Sequence, residues 1–292
     1  MSVALQVGQV ETVRRIFTQG DFDRFAALSG DDNPIHVDPE FAARTRFGKT
    51  VAHGMLLYSS VCALIGTRTP GPGTLQLAQE LMFPTATYVG EAVTIRLEVL
   101  EVQPQEGLAE LSTRLERPDG SVGLQGKTWV RLPGAVSESG WKPAYEPALE
   151  SNWARSHKGL KLGDKSQTRR TFTLEDLDAY AHISGDTNPL ILERAYAQRF
   201  GFEGQIIPGG LLGGLFSCLL GTKLPGRGTN WLKQKLHFLA PAYPGEEITA
   251  TVEIVRLRPE KDLVYLRTMC VNPAGTIVCD GEALVYVKDL EA

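Results

Sequence analysis

The chain contains two copies of one sequence pattern in tandem. Residues 29–36 read Ser-Gly-Asp-Asp-Asn-Pro-Ile-His, and residues 184–191 read Ser-Gly-Asp-Thr-Asn-Pro-Leu-Ile. The same spacing relates many other identical pairs without a gap, as far along as Gly126 and Gly281. Two copies are too few for a solenoid. The repeat therefore predicts two similar units that pack about a pseudo-twofold axis.

Composition narrows the class of protein. The 292 residues, 42% of them hydrophobic, are enough for two units with real cores. No apolar run reaches the ~18 residues of a membrane span, and the N-terminus lacks a signal-peptide pattern, so we expect no membrane association. The net charge of −4 argues against a nucleic-acid partner. The four cysteines lack zinc-ligand spacing and lie in apolar contexts, which indicates no metal, buried free thiols and a reducing, cytoplasmic location.

Local signals divide each unit into helices followed by strands. Thr18 and Asp21 are typical of a helix start, and Asp38-Pro39-Glu40 opens a short helix that we expect to end near Arg46. An uncharged apolar run up to Gly66 predicts a buried helix. Alternating residues predict strands over residues 92–102, 108–116 and 121–132.

A segment rich in proline, glycine and serine separates the units. We therefore predict an N-terminal unit over residues 1–133, a linker over residues 134–160 and a C-terminal unit over residues 161–292. Trp141 and Trp153 indicate that the linker packs against another part of the chain.

The first copy of the motif carries an acid–base pair. Pro34 restricts the backbone between Asp31 and His36, so both side chains belong to a rigid, irregular turn. His53 and Gly54 follow, at the start of the apolar helix. The second copy has lost both imidazoles, because Ile191 and Pro208 stand at their positions.

These motifs resemble those of the MaoC-like, hydratase-2 (R-specific enoyl-CoA hydratase) family of hot-dog proteins. The matching residues run through 25–36, then 38–42, 47–48 and 53–56, with a looser match at Asp186, Asn188 and residues 209–211. The resemblance implies an α+β double hot-dog fold, with each long central helix wrapped by an antiparallel β-sheet. It further implies a catalytic first unit, a degenerate second unit that shapes the acyl pocket, and either a homodimer or a monomer with pseudo-twofold symmetry.

The resemblance also implies a reaction. Family members of this type are hydro-lyases that add water reversibly to a 2-enoyl-CoA, which gives (3R)-3-hydroxyacyl-CoA without a cofactor. Carried onto this chain, Asp31 and His36 would activate the water, and the backbone N–H at Gly54 would stabilise the developing oxyanion. Asn33, His53 and Met55 would support them, His53 mainly as a structural residue. An acyl-CoA thioester would be the partner.

Several alternatives stay open at this stage. The substrate could be a branched or dicarboxylic enoyl-CoA of the mesaconyl or itaconyl type, and the chain could instead be a thioesterase or a non-catalytic acyl-CoA binding subunit. Asp186 and Asn188 are interpreted as structural relics. A further hypothesis is that Gly213 and Gly214 open room for an acyl chain. Four cations are interpreted as a charged surface or as contacts for CoA phosphates: Arg44, Arg46, Lys49 and Arg68.

Overall fold

A computed structural model describes residues 5–134 and 154–290. In the first half, the strands are β1 (Val10–Ile16), β2 (Leu75–Met82), β3 (Ala92–Gln103), β4 (Leu108–Glu116) and β5 (Val122–Arg131). The helices of this half are α1 (Gln19–Ser29), α2 (Pro34–Val37), α3 (Pro39–Ala43) and α4 (Gly54–Thr67).

The second half repeats this order. Its strands are β6 (Ser156–His157), β7 (Leu160–Lys161), β8 (Lys165–Thr171), β9 (Asn230–Phe238), β10 (Glu247–Arg258), β11 (Leu263–Val271) and β12 (Ile277–Tyr286). Its helices are α5 (Leu174–Ser184), α6 (Pro189–Leu192), α7 (Arg194–Arg199), α8 (Gly209–Thr222) and a 3-10 turn (Pro259–Lys261).

Both halves contribute to one antiparallel sheet. Its ten strands run in the order β1-β3-β4-β5-β2-β9-β12-β11-β10-β8, so each half supplies five neighbouring strands in mirrored sequence. β2 and β9 pair at the centre, where Glu80 lies opposite Lys235, its own counterpart in the repeat. This arrangement is what the predicted pseudo-twofold packing requires, and it confirms the α+β double hot-dog interpretation.

The two central helices, α4 and α8, pack against each other and against the sheet. Most residues of both helices are buried. Gly213 allows this close approach, since a Cβ there would lie 2.5 Å from Met55 Sδ. A Cβ at Gly214 would lie 2.9 Å from Ser29 Cβ. The hypothesis that these glycines make room for an acyl chain is therefore wrong, because the space beside them is filled by the first half.

Alternation predicted β3, β4 and β5 to within one residue at each end, and the capping signals located helix starts. Thr18 and Asp21 form the predicted reciprocal cap, and Thr173 and Asp176 repeat it. The α3 helix ends at Ala43, earlier than expected. The strands β1 and β2 were not predicted: β1 has alternately exposed and half-buried residues with little apolar character, and β2 is a central strand with a run of buried residues.

The predicted linker lies largely outside the described residues, as do Trp141 and Trp153. Its last residues form the β6–β7 hairpin, which the second half holds in place through an ion pair between His157 and Asp262 at 2.9 Å. The unit boundaries stay a prediction. Among the described helices, none is long and apolar enough to cross a membrane.

Candidate active site

A cavity of about 510 Å³ opens between the Asp31 turn of the first half and helix α8 of the second. Asp31, His36 and Gly54 line it from the first half, and Ser217 and Trp231 line it from the second. Asn33 lines the cavity as well, so four of the six predicted site residues share one wall, and the opposite half of the chain closes the site.

Asp31 is buried directly after helix α1. Gly30 ends that helix in the left-handed conformation and turns the backbone, which leaves Asp31 only 1% exposed. Its Oδ1 accepts a hydrogen bond from the Asn33 N–H at 3.4 Å, and its Oδ2 accepts one from the Ser217 hydroxyl at 2.5 Å. The carboxylate is thus oriented by its own turn and by helix α8.

His36 lies on the one-turn helix α2 and faces Asp31. Its Nδ1 lies 2.6 Å from the Val51 carbonyl oxygen, which can only accept, so Nδ1 is the nitrogen that carries the proton. In the neutral ring Nε2 then has a free lone pair, and it lies 3.9 Å from Asp31 Oδ2. That separation is too long for a direct hydrogen bond but suits one bridging water.

His53 contacts both His36 and Asp31. Its ring stacks on the His36 ring with centroids 3.9 Å apart, and its Nε2 lies 3.0 Å from the Asp31 carbonyl oxygen, to which it donates. Burial, and then the neighbouring His36, lower the pKa of His53 to about 3. The ring is therefore neutral at physiological pH, which favours the structural role predicted for it.

Asp31, His36 and His53 offer three possible ligand atoms, all within 4.8 Å of one another. The two imidazoles stack with centroids 3.9 Å apart and an interplanar angle of 28°, so their in-plane nitrogen lone pairs lie in two separate, nearly parallel planes. Ligands that hold one ion must converge on it. This geometry suits the support of one ring by another better than it suits metal coordination.

Gly54 begins helix α4 at the cavity wall. A Cβ at this position would lie 2.9 Å from two atoms of the Phe83 ring, so only glycine fits. The first N–H groups of a helix have no acceptor within it, and they carry the positive end of the helix dipole. Met55 does not line the cavity; its side chain is fully buried against Gly213.

Asn33 connects the Asp31 turn to the second half. Its side-chain oxygen accepts a hydrogen bond from the Ile35 N–H at 3.3 Å, and its Nδ2 donates to the Gly221 carbonyl at 3.0 Å. Ser217 and Gly221 were not found from the sequence. The only available signal was the repeat register, and the counterpart of Ser217 is Cys62, which carries no hint of this contact.

The four cations singled out in the sequence are spread apart. Only Arg46 lines the cavity among the described residues, and it pairs with Asp289 at 2.7 Å. Arg68 pairs with Glu11 at 2.9 Å. Arg44 and Lys49 are exposed. The charged-surface interpretation therefore describes most of this set, with Arg46 placed at the cavity.

Sequence comparison gives the following relatives. A family model described as MaoC like domain matches residues 5–116 and again residues 160–269. The (R)-specific enoyl-CoA hydratase of Aeromonas caviae is 39% identical over 130 residues, which cover 44% of this chain and 97% of that protein. The 3-hydroxybutyryl-CoA dehydratase of Methylorubrum extorquens is 37% identical over 129 residues, which cover 44% of this chain and 82% of that protein.

Two solved structures are similar over nearly the whole chain. One, a MaoC-like dehydratase, has a TM-score of 0.77 at 17% identity and covers 97% of this chain and 98% of its own. The other, a Mycobacterium tuberculosis protein described as having a double hotdog fold, has a TM-score of 0.75 at 16% identity, with 97% and 96% covered. At these identities the likeness concerns the fold alone.

Proposed function

Because this chain belongs to the MaoC like domain family, we propose that it adds water reversibly across the 2,3-double bond of an enoyl-CoA to give (3R)-3-hydroxyacyl-CoA. Relatives named enoyl-CoA hydratase and 3-hydroxybutyryl-CoA dehydratase are named for the two directions of this reaction. The chain is accordingly an enzyme of the hydro-lyase class.

The observation that carries the proposal is the 3.9 Å gap between His36 Nε2 and Asp31 Oδ2. A water in this gap accepts or donates a hydrogen bond on each side. As its oxygen bonds to C3, one of the two groups takes the proton that the water loses, the other orients the water, and the same proton is then passed to C2, so both groups return to their starting state. The bond order between C2 and C3 falls from two to one, and no other atom enters or leaves.

The start of helix α4 would stabilise the charge that this addition creates. Attack at C3 moves electrons onto the thioester oxygen, and a backbone N–H at a helix N-terminus is placed to receive that charge. Gly54 allows the thioester to approach the backbone, and the Phe83 ring beside it leaves no space for a side chain. The acyl chain would then extend along the apolar wall that includes Leu57, Leu220 and Trp231.

The cavity favours a substrate without a second carboxylate. A dicarboxylic enoyl-CoA needs a cation near its distal end, and Arg46 is the only lysine or arginine among the described lining residues. Its guanidinium already pairs with Asp289. A non-catalytic acyl-CoA binding subunit would not need an aspartate and a histidine oriented by separate hydrogen bonds, and the thioesterase alternative has no separate support from the site.

The first prediction tests the reaction. Purified protein mixed with crotonyl-CoA should lower the absorbance of the conjugated double bond, and His36→Ala and Asp31→Asn should each reduce this rate by about 10²- to 10⁴-fold. Asp186→Asn, at the equivalent position of the second half, is the matched control and should stay active. Unchanged activity in a folded His36→Ala protein would contradict the proposal.

A single chain supplies every residue used in this proposal, because Ser217 reaches Asp31 from the second half. We therefore propose that a monomer is sufficient for activity, whatever further association occurs. The described cysteines are all buried and free, which supports the proposed cytoplasmic location.

A further inference from the structure

A second cavity, of about 740 Å³, lies around Asp186, at the place in the repeat that corresponds to the first site. Ile191, Pro208 and Gly209 line it from the second half, and Cys62 lines it from helix α4 of the first. The proposed reaction makes no use of this cavity, although it is larger than the one around Asp31.

The second cavity retains the parts that would hold an acyl thioester. Asp186 is 3% exposed, and its Oδ1 accepts a hydrogen bond from the Asn188 N–H at 3.2 Å, as in the first turn. Gly209 begins the fourteen-residue helix α8 at the wall, and a Cβ there would lie 2.4 Å from the Phe238 ring. Gly54 and Phe83 have the same relation in the first site.

The second cavity has lost the groups that move protons beside the aspartate. Ile191 stands in place of the proton-transfer imidazole, and Pro208 in place of the stacked one. Cys62 replaces the serine that bonds the first aspartate, and its thiol donates to Gln76 Oε1 at 3.3 Å instead. His237, on strand β9, also lines the second cavity. Its counterpart in the repeat is Met82, which does not line the first cavity.

These replacements leave one oxygen of Asp186 available to a ligand. Within residues 5–134 and 154–290, the hydrogen bond that the Asp186 carboxyl accepts goes to Oδ1 and not to Oδ2. Gln76 Nε2 and Arg131 Nε, on residues that line the same cavity, are buried and have no hydrogen-bond partner in the described part of the chain. Buried polar groups are normally hydrogen-bonded, so polar atoms of an occupant or of water are expected here.

The rim of the cavity is apolar and open. Leu239 is 49% exposed and Phe200 is 36% exposed, and both line the cavity. Large exposed apolar side chains around a concave site are typical of a surface that contacts an apolar ligand. The wall behind them is also mostly apolar, so a hydrocarbon chain suits this cavity.

We propose that this cavity binds a 3-hydroxyacyl-CoA, the hydrated form, without reacting with it. The ligand's C3 hydroxyl forms a hydrogen bond with Asp186 Oδ2, its thioester oxygen faces the start of helix α8, and its acyl chain lies on the apolar wall. An enoyl or saturated acyl-CoA has no hydroxyl and leaves the aspartate oxygen unpaired, so it binds less well. The choice of a thioester rests on the proposed function, whereas the preference for a hydroxyl comes from Asp186.

The experiment is a binding titration on full-length His36→Ala protein, which should convert the ligand at least about 100-fold more slowly than the wild type. Calorimetric titration with 3-hydroxybutyryl-CoA should show a binding event that Asp186→Ala removes. Butyryl-CoA, which lacks the hydroxyl, should bind this site at least about tenfold more weakly. Leu239→Trp, at the open rim, should also weaken binding, whereas Leu174→Trp, which is equally exposed but lines neither cavity, should not.

The binding results decide the proposal as follows. Binding that is unchanged in both Asp186→Ala and Leu239→Trp, or equal affinity for the two ligands at this site, overturns the proposal. Because Asp186→Ala can perturb folding, its melting curve is recorded, and the ligand comparison and Leu239→Trp decide the question if it unfolds. Since no step requires turnover, a wild-type protein without hydratase activity would contradict the proposed function and leave this binding result intact.

Discussion

At the scale of the residue, the two halves differ in the hydrogen-bond donor that the facing helix places at the position near each aspartate. Ser217 donates to Asp31 Oδ2 at 2.5 Å, while the thiol of Cys62, at the equivalent position, donates to Gln76. A hydroxyl is a stronger donor than a thiol, and hydrogen bonds to charged acceptors are the stronger ones. The two sites therefore differ at the Ser217 and Cys62 positions, as well as in the replacement of His36 by Ile191.

Ser217→Ala should lower the hydration rate about 10- to 100-fold, because Asp31 loses the bond that orients it. The matched variant Cys62→Ala, at the equivalent position of the other site, should change the rate by less than about twofold. Steady-state kinetics on crotonyl-CoA measure both. A Ser217→Ala enzyme with the wild-type rate would show that helix α8 does not position the carboxylate.

At the scale of the element, Gly213 is one of the glycines of α8 that allow it to pack closely on α4. Gly213→Ala places a methyl carbon 2.5 Å from Met55 Sδ, so we expect it to destabilise the protein by about 1–3 kcal/mol. Met55→Ala in the same chain should recover much of this loss, because it removes the atom in the way. Urea unfolding of the two single variants and the double variant measures the coupling.

The control for this prediction is Gly20→Ala, also in a helix, where the new Cβ has only Thr18 Oγ1 within 4 Å, at 3.7 Å. It should leave stability unchanged or raise it slightly, since alanine favours a helix over glycine. Neither glycine lines a cavity, so the dependence of the rate on acyl chain length should stay as in the wild type. A changed dependence in Gly213→Ala would restore the hypothesis rejected above.

At the scale of the whole molecule, two buried groups make opposite contributions to stability. Burial raises the pKa of Asp186 from 3.8 to about 7, so the folded state holds a proton that the unfolded state lacks between these values, and stability falls as pH rises. Burial, followed by His36, lowers the pKa of His53 from 6.5 to about 3, so there stability rises with pH. Between about pH 4 and 6.5, the effects of Asp186 and His53 on the pH dependence of the free energy of unfolding therefore oppose each other.

Asp186→Asn removes the contribution of Asp186, so the pH dependence of the free energy of unfolding should then show the contribution of His53. Relative to the wild type, its free energy of unfolding should rise by about 1.4 kcal/mol per pH unit between pH 4 and 6.5. Urea unfolding at several pH values measures this difference, and the exposed Asp178→Asn should show none. A parallel pH dependence in wild type and Asp186→Asn would mean that Asp186 carries no raised pKa.

The sequence by itself determined what is local or repeated. The duplication follows from identical residues in one register, and the caps at Thr18 and Thr173 follow from side chains that bond their own first helical turn. The turn from Asp31 to His36 is also local, since one proline and the adjoining backbone define it. The central helices were visible because a buried segment needs a continuous apolar run.

Only the tertiary structure decided which half completes which site. The contact between Ser217 and Asp31 joins residues from different units, and no periodicity encodes a bond across that distance in sequence. For the same reason the sequence did not show that Gly213 faces Met55, nor that a second cavity persists around Asp186. The packing of the two halves about the β2–β9 pair fixes all three, because it sets which side chains meet across the pseudo-twofold axis.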